Sequence, residues 1–173
     1  LSLGEGFQVI FHLAATVGVM HVMSRPYHVL SNNVIMLDNI MDLARRQRCL
    51  HRFLFASTSE VYAGTLKHFS LNIPTPENVP LTAMNLRESR TSYMLSKIYG
   101  EAMCHQSGLP FTIFRPHNIY GPRMGMSHVI PEQLQKVWEA KPDGTISVYS
   151  PEHTRTFCYI DDAVEMLKRI IES

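Results

Sequence analysis

A surplus of either charge is missing from this chain. Its 173 residues carry sixteen Lys and Arg against fifteen Asp and Glu, a formal net charge of +1, which gives no field for holding a phosphodiester backbone or an anionic membrane. No nucleic-acid partner is expected. Long apolar runs are missing too: Val9 to Phe11, Leu13 to Ala15 and Phe53 to Ala56 are far short of the ~20 residues that cross a bilayer as a helix, so no membrane span is expected. Cysteine is scarce. Cys49, Cys104 and Cys158 are an odd number, widely spaced and without a C-x-x-C pair, and they read as reduced core thiols. The nine histidines form neither H-x-H nor H-E-x-x-H, so no metal site is expected. Leu1 to Gln8 has neither the basic nor the apolar segment of a secretory signal, and the expected compartment is the cytoplasm.

What is present alternates. Gln8 to Ala15 (QVIFHLAA), Arg52 to Ala56 (RFLFA) and Phe111 to Phe114 (FTIF) are short apolar runs of the kind that suits strands buried on both faces of a parallel sheet. Between them, Tyr27 to Arg46 repeats apolar residues at Val29, Leu30, Val34, Leu37, Ile40, Met41 and Ala44, the spacing of an amphipathic helix. A second helix is expected from Ser92 to Gln106, stopped by Gly108 and Pro110. Strand, helix, strand, helix, strand implies right-handed parallel crossovers and an α/β sheet. Gly64 to Ser89, with Pro74, Pro76 and Pro80, reads as one long loop, a length usually reserved for function. Past Gly121-Pro122 a helix is expected from Pro131 to Ala140, a strand from Thr145 to Tyr149, and a last helix from Ala163 to Ile171 behind the D-x-x-E signal of Asp162 and Glu165.

The polar residues collect at strand ends, where open parallel sheets bind their ligands. Ser57, Thr58, Ser59 and Glu60 follow the second strand, Arg115, His117 and Asn118 the third, and His12 to Ala15 close the first. For His12 and His117 a packed, hydrogen-bonded histidine is the expected state. Tyr93 and Lys97 stand one helical turn apart on one face. An ammonium about 4 Å from a phenol favours the phenolate by roughly 4 kcal/mol at an effective dielectric near 20, enough to bring it from about 10 toward 7, where a general base works best.

Six segments in order carry a resemblance: HLAA at His12 to Ala15, P-x6-N from Pro26 to Asn33, STSEVY at Ser57 to Tyr62, Y-x-x-x-K at Tyr93 to Lys97 with Gly100-Glu101 behind it, RPHNIYGPR at Arg115 to Arg123, and RTFCYIDD at Arg155 to Asp162. Together they resemble the extended short-chain dehydrogenases, the NAD-dependent nucleotide-sugar epimerases and dehydratases. The resemblance implies a Rossmann-like doubly wound parallel sheet with part of a small substrate-binding lobe. It places 1–122 and 158–173 in the cofactor-binding domain and 123–157 in the lobe. It implies Thr58, Tyr93, Lys97 and Glu60 as catalytic residues, Tyr93 taking the proton of the sugar C4 hydroxyl as hydride leaves for NAD. Leu13, Ala14, Ala15, Asn33, Ser57 and Pro116 would join Tyr93 and Lys97 around NAD, and Thr58, Asn118 and Arg155 would bind a nucleotide-diphosphate sugar. Arg155 has the forked donors for a diphosphate. A homodimer through the helices at 27–46 and 92–106 is implied as well.

The chain also departs from that family. The glycine-rich turn that seats a cofactor pyrophosphate on a helix N-terminus has no counterpart, since Gly4 and Gly6 lead into a strand. The sheet is therefore expected to lack the family's first strands, and the chain to be a stretch of a longer enzyme. Met36 and Ala63 stand where many relatives have glycine. Ser59 replaces the middle residue of the dehydratases' common Thr-Asp-Glu, while Glu60 keeps proton transfers at C5 and C6 available. The expected activity is epimerisation through transient oxidation at C4, the alternatives being 4,6-dehydration, decarboxylation, or a regulatory module that binds a dinucleotide without turnover.

Overall fold

The computed structural model describes residues 4–173, which form two compact units meeting between Pro116 and His117. In the first, β1 (Val9–His12), β2 (Arg52–Ala56) and β3 (Phe111–Phe114) make a parallel sheet in the order β1-β2-β3. The expected α/β class with parallel crossovers is present. Central β2 buries Phe53, Leu54 and Phe55 on its two faces, as a strand flanked on both sides does. Edge strand β1 is shorter than the apolar run suggests, because pairing ends with β2 at His12↔Phe55.

A short helix not foreseen, α1 (Val19–Ser24), leads through Arg25 into α2 (Pro26–Arg45). Pro26 sits where a first-turn proline costs no hydrogen bond. The buried residues of α2, Val29, Asn33, Leu37, Met41 and Ala44, fall every three or four positions, and Leu37, Met41 and Ala44 pack with Ile10, Phe53, Phe55 and Cys104 into one core. Helix α4 (Thr91–Gln106) comes close to both sheet and α2 at Gly100, where a Cβ would run into the Phe55 ring and Leu37.

The segment read as one loop opens with a 3-10 turn at Ser59–Tyr62 and a six-residue helix, α3 (Ala63–His68). Only from Phe69 is it irregular. It is strapped to α3 by Thr65 Oγ1 donating to the Pro80 carbonyl and by Gly64, where a Cβ would collide with the Thr82 carbonyl.

In the second unit β4 (Asn118–Tyr120) pairs in parallel with β5 (Phe157–Tyr159), two strands the apolar pattern did not mark. They are accompanied by α5 (Val129–Glu139) and α6 (Ile160–Glu172). The strand expected at Thr145 to Tyr149 is absent: the segment is irregular and turns at Ser150, whose φ of 52° no strand can hold. Asp162 lies inside the first turn of α6 and makes no cap bond, Tyr159 being the residue before the helix. Among the described residues no helix is long and apolar enough to cross a membrane, and no group of three His, Cys, Asp or Glu side chains could hold a metal ion.

Candidate active site

At the carboxyl end of β2 the chain leaves the sheet through Ser57 and Thr58, both buried. Thr58 is extended, and its Oγ1 accepts the Glu60 N–H at 3.3 Å to start the 3-10 turn. The Thr58 hydroxyl stands near enough to the Tyr93 phenol to favour its ionised form. One turn along α4, Lys97 is 3% exposed. Its Nζ donates to the Ala56 carbonyl at 2.7 Å and lies 5.0 Å from the Phe55 ring centroid and 5.8 Å from that of Tyr93. Thr58, Tyr93 and Lys97 thus converge on one strand end, and Glu60 is close enough to act on Tyr93 electrostatically.

The electrostatics differ from the expectation that Lys97 draws the phenol down toward neutrality. Burial pushes Tyr93 up to about 12, the Glu60 carboxylate adds to the rise, and the Thr58 hydroxyl opposes it. Burial also lowers Lys97 to about 8. Its ammonium is turned to the Ala56 carbonyl, so desolvation outweighs its pull on the phenol. Glu60 lies at the surface, yet partial withdrawal of its carboxyl from water raises it above its ordinary value, with Arg90 working the other way. Positive charge brought near Tyr93 would favour loss of its proton.

The loop after β1 is tied down by one side chain. Asn33 accepts the Thr16 N–H at 2.7 Å and donates to the Thr16 carbonyl at 3.3 Å and to Ser96 Oγ at 3.1 Å, while Ser96 donates to the Tyr93 carbonyl at 2.7 Å. Leu13 and Ala14 are exposed and Ala15 half-buried, an apolar ledge following the strand end. One of the three Lys97 donors is spent on Ala56. Ledge and ammonium together fit a flat ring and its ribose hydroxyls, so the residues present suit the nicotinamide end of a dinucleotide. No glycine-rich strand-to-helix turn lies among the described residues, and the fit is to that end alone.

The remaining expected residues divide. Ser57 Oγ donates to Glu101 at 2.5 Å inside the protein. Pro116 accepts the Ser59 N–H at 3.0 Å through its carbonyl, which ties the ends of β2 and β3. Asn118 and Arg155 are neighbours in the second unit: Asn118 Nδ2 donates to the Thr156 carbonyl at 3.0 Å, and Arg155 is exposed, with a bond to the Thr154 carbonyl. His12 is buried, stacked 5.9 Å from Phe55, and held neutral by a pKa lowered to about 4 through burial and then Lys97. His117 is exposed instead of packed. Ser96 and Glu101 were not singled out for a role. Their signal was spacing, since each follows a candidate, Tyr93 or Lys97, on the same face of α4.

The model of the NAD dependent epimerase/dehydratase family matches residues 2–173. Over 180 residues the chain is 32% identical to an uncharacterized UDP-glucose epimerase of Bacillus subtilis, covering 98% of this chain and 51% of that protein. Over 163 residues it is 33% identical to a UDP-N-acetyl-alpha-D-glucosaminuronate decarboxylase of Bacillus cytotoxicus, covering 91% and 48%. The crystal structure of the UDP-glucuronic acid 4-epimerase from Bacillus cereus, in complex with UDP-glucuronic acid and NAD, superposes with a TM-score of 0.72 at 26% identity, over 96% of this chain and 50% of that one. The chain spans about half the length of the curated relatives it matches.

Proposed function

This chain belongs to the NAD dependent epimerase/dehydratase family, and we propose that it carries the reacting residues of an NAD-dependent nucleotide-sugar epimerase working by transient oxidation at C4. The observation that supports this reading is the convergence of Thr58, Tyr93 and Lys97 on the carboxyl end of β2, with Lys97 Nζ bonded to the Ala56 carbonyl and 5.8 Å from the Tyr93 ring centroid. In this reading Thr58 orients the C4 hydroxyl of the sugar, and Tyr93, in the phenolate form that the positive charge of a bound cofactor would favour, accepts its proton at Oη. Bound NAD supplies the hydride acceptor and a positive charge. Lys97, Leu13, Ala14 and Ala15 hold the nicotinamide end, with Pro116 at its edge, Asn33 fixing the ledge and Ser57 fixing Thr58. Asn118 and Arg155 receive the diphosphate of the nucleotide.

The pairing of β4 with β5 brings together the two ends of the segment 123–157, which we assign to a substrate lobe, with 1–122 and 158–173 assigned to the cofactor domain. Exposed Tyr27 and Ile35 on α2 and Tyr99 on α4 suit a homodimer through those two helices, and we place the enzyme in the cytoplasm. Dehydration or decarboxylation is the second reading, favoured by Glu60, whose raised carboxyl stands within electrostatic reach of Tyr93.

One pair of variants of the complete enzyme tests both. Tyr93→Phe lowers kcat by about 10²–10⁴-fold with KM little changed, and unaltered turnover would remove Tyr93 from the mechanism. Glu60→Gln leaves an epimerase largely active and abolishes a reaction that needs the carboxylate as a proton carrier, so its activity on UDP-sugars decides between them.

A further inference from the structure

Below the reacting residues lies a buried ion pair. Glu101 is 4% exposed and stands one turn beyond Lys97 on α4. Its Oε1 accepts from Ser57 Oγ at 2.5 Å and from Arg115 Nε at 2.9 Å, and its Oε2 from Arg115 Nη2 at 2.6 Å. The guanidinium spends its other branch on the Tyr62 hydroxyl at 2.5 Å and the Glu77 carbonyl at 3.0 Å. One carboxylate therefore holds three segments, each next to a candidate reacting position. Ser57 precedes Thr58, Arg115 precedes Pro116, and Glu101 shares a helix face with Lys97. Backbone bonds from Ser57 N to the Phe114 carbonyl at 2.9 Å and from Ser59 N to the Pro116 carbonyl at 3.0 Å bind the same two strand ends, but neither reaches α4.

We propose that Glu101 is a positioning residue: its carboxylate fixes the ends of β2 and β3 against α4, and so sets Thr58 and Pro116 at their places around Tyr93 and Lys97. The inference rests on reading Thr58, Tyr93 and Lys97 as the reacting set. Bidentate pairing of a guanidinium with a carboxylate sets orientation as well as distance, and a displacement of about 1 Å at a reacting group is enough to slow a reaction about a hundredfold. Gln at 101 keeps the shape and one acceptor oxygen but presents N–H donors to Arg115. Lys at 115 keeps the charge and loses the fork.

The test uses the complete enzyme with Glu101→Gln, Arg115→Lys and Tyr93→Phe. Expected for Glu101→Gln is a fall in kcat of about 30–100-fold with KM for the nucleotide sugar within about threefold, at a temperature where circular dichroism shows the variant folded. Arg115→Lys falls between it and the wild type. In parallel, the Thr58 methyl resonance of threonine-labelled enzyme, assigned with Thr58→Ala, shifts or broadens in Glu101→Gln. Full kcat in folded Glu101→Gln beside an inactive Tyr93→Phe overturns the positioning role and leaves the proposed function standing. Full activity of Tyr93→Phe overturns the proposed function instead. In that case the Thr58 resonance decides for Glu101, an unmoved signal refuting the role and a displaced one supporting it.

Discussion

Up to Pro116 the chain closes on itself; from His117 onward it does not. Phe53, Leu54, Phe55, Leu37, Met41, Val29 and Met94 are all at most 2% exposed, whereas in the second unit Ala163 is the one buried residue among those described, with Trp138 at 89% and Tyr149 at 84%. Both units contain parallel strands and helices, so secondary structure is not what separates them. The first has helix faces turned onto a three-stranded sheet and buries a polar set, Ser57, Thr58, Lys97 and Glu101, inside the same packing. The second has two three-residue strands, a pair too small to bury a helix face. Position in the first unit is therefore set by close packing, and in the second by backbone pairing and turns.

The sharpest way to break this contrast is to truncate one aromatic in each unit. Phe55→Ala should cost about 3–5 kcal/mol, while Trp138→Ala should stay within about 0.5 kcal/mol, as at other exposed positions. Denaturant melts of the two variants measure both, and equal losses would show that the second unit has a core of its own.

A smaller effect separates the units by pH. His12 is held near 4 in the fold and titrates at its ordinary 6.5 when unfolded. Between those values the unfolded chain takes up a proton that the folded chain refuses, so stability is lost as pH falls from 6.5 through 4, by about 3 kcal/mol at most. His12→Phe should flatten that part of the curve for the first unit, followed by amide exchange in β2, and leave α6 untouched. An unchanged slope would mean that His12 is hydrated.

The smallest effect concerns Ser150, which turns with φ 52° and whose carbonyl accepts the His153 N–H at 3.0 Å. Glycine has no Cβ penalty there. Ser150→Gly should gain about 0.5 kcal/mol if that turn is formed in solution, seen as roughly twofold slower exchange of the His153 amide. Faster exchange would show that the turn is open and that glycine only adds freedom to it.

What could be read in advance follows the same division. Helix α2 was legible because burial repeats along it, and β2 and β3 because apolar side chains cover them. Tyr93 and Lys97 were legible less from their spacing than from the ordered motifs that resemble the family. The state of the phenol was not, because it depends on burial and on Glu60, which meets α4 only in three dimensions. Strands β4 and β5 escaped because three residues each, none of them buried, are too short a run to mark a strand, and α3 was hidden by the prolines that follow it. Asn33 belonged to a motif, but its hold on both polar groups of Thr16 required the fold.

Every strand pair here is parallel, and each joins residues on opposite sides of a helical crossover, Val9 with Arg52, Phe53 with Phe111, Asn118 with Phe157. No hairpin exists among the described residues to seed the sheet locally. Chain closure must be completed before any ladder bond rewards it, which makes for high contact order and a folding time nearer to milliseconds or seconds than to the microseconds of a helical bundle. During that interval Phe53, Leu54 and Phe55 are bare, and a nascent chain depends on α2 and α4 collapsing onto them before a neighbouring molecule does.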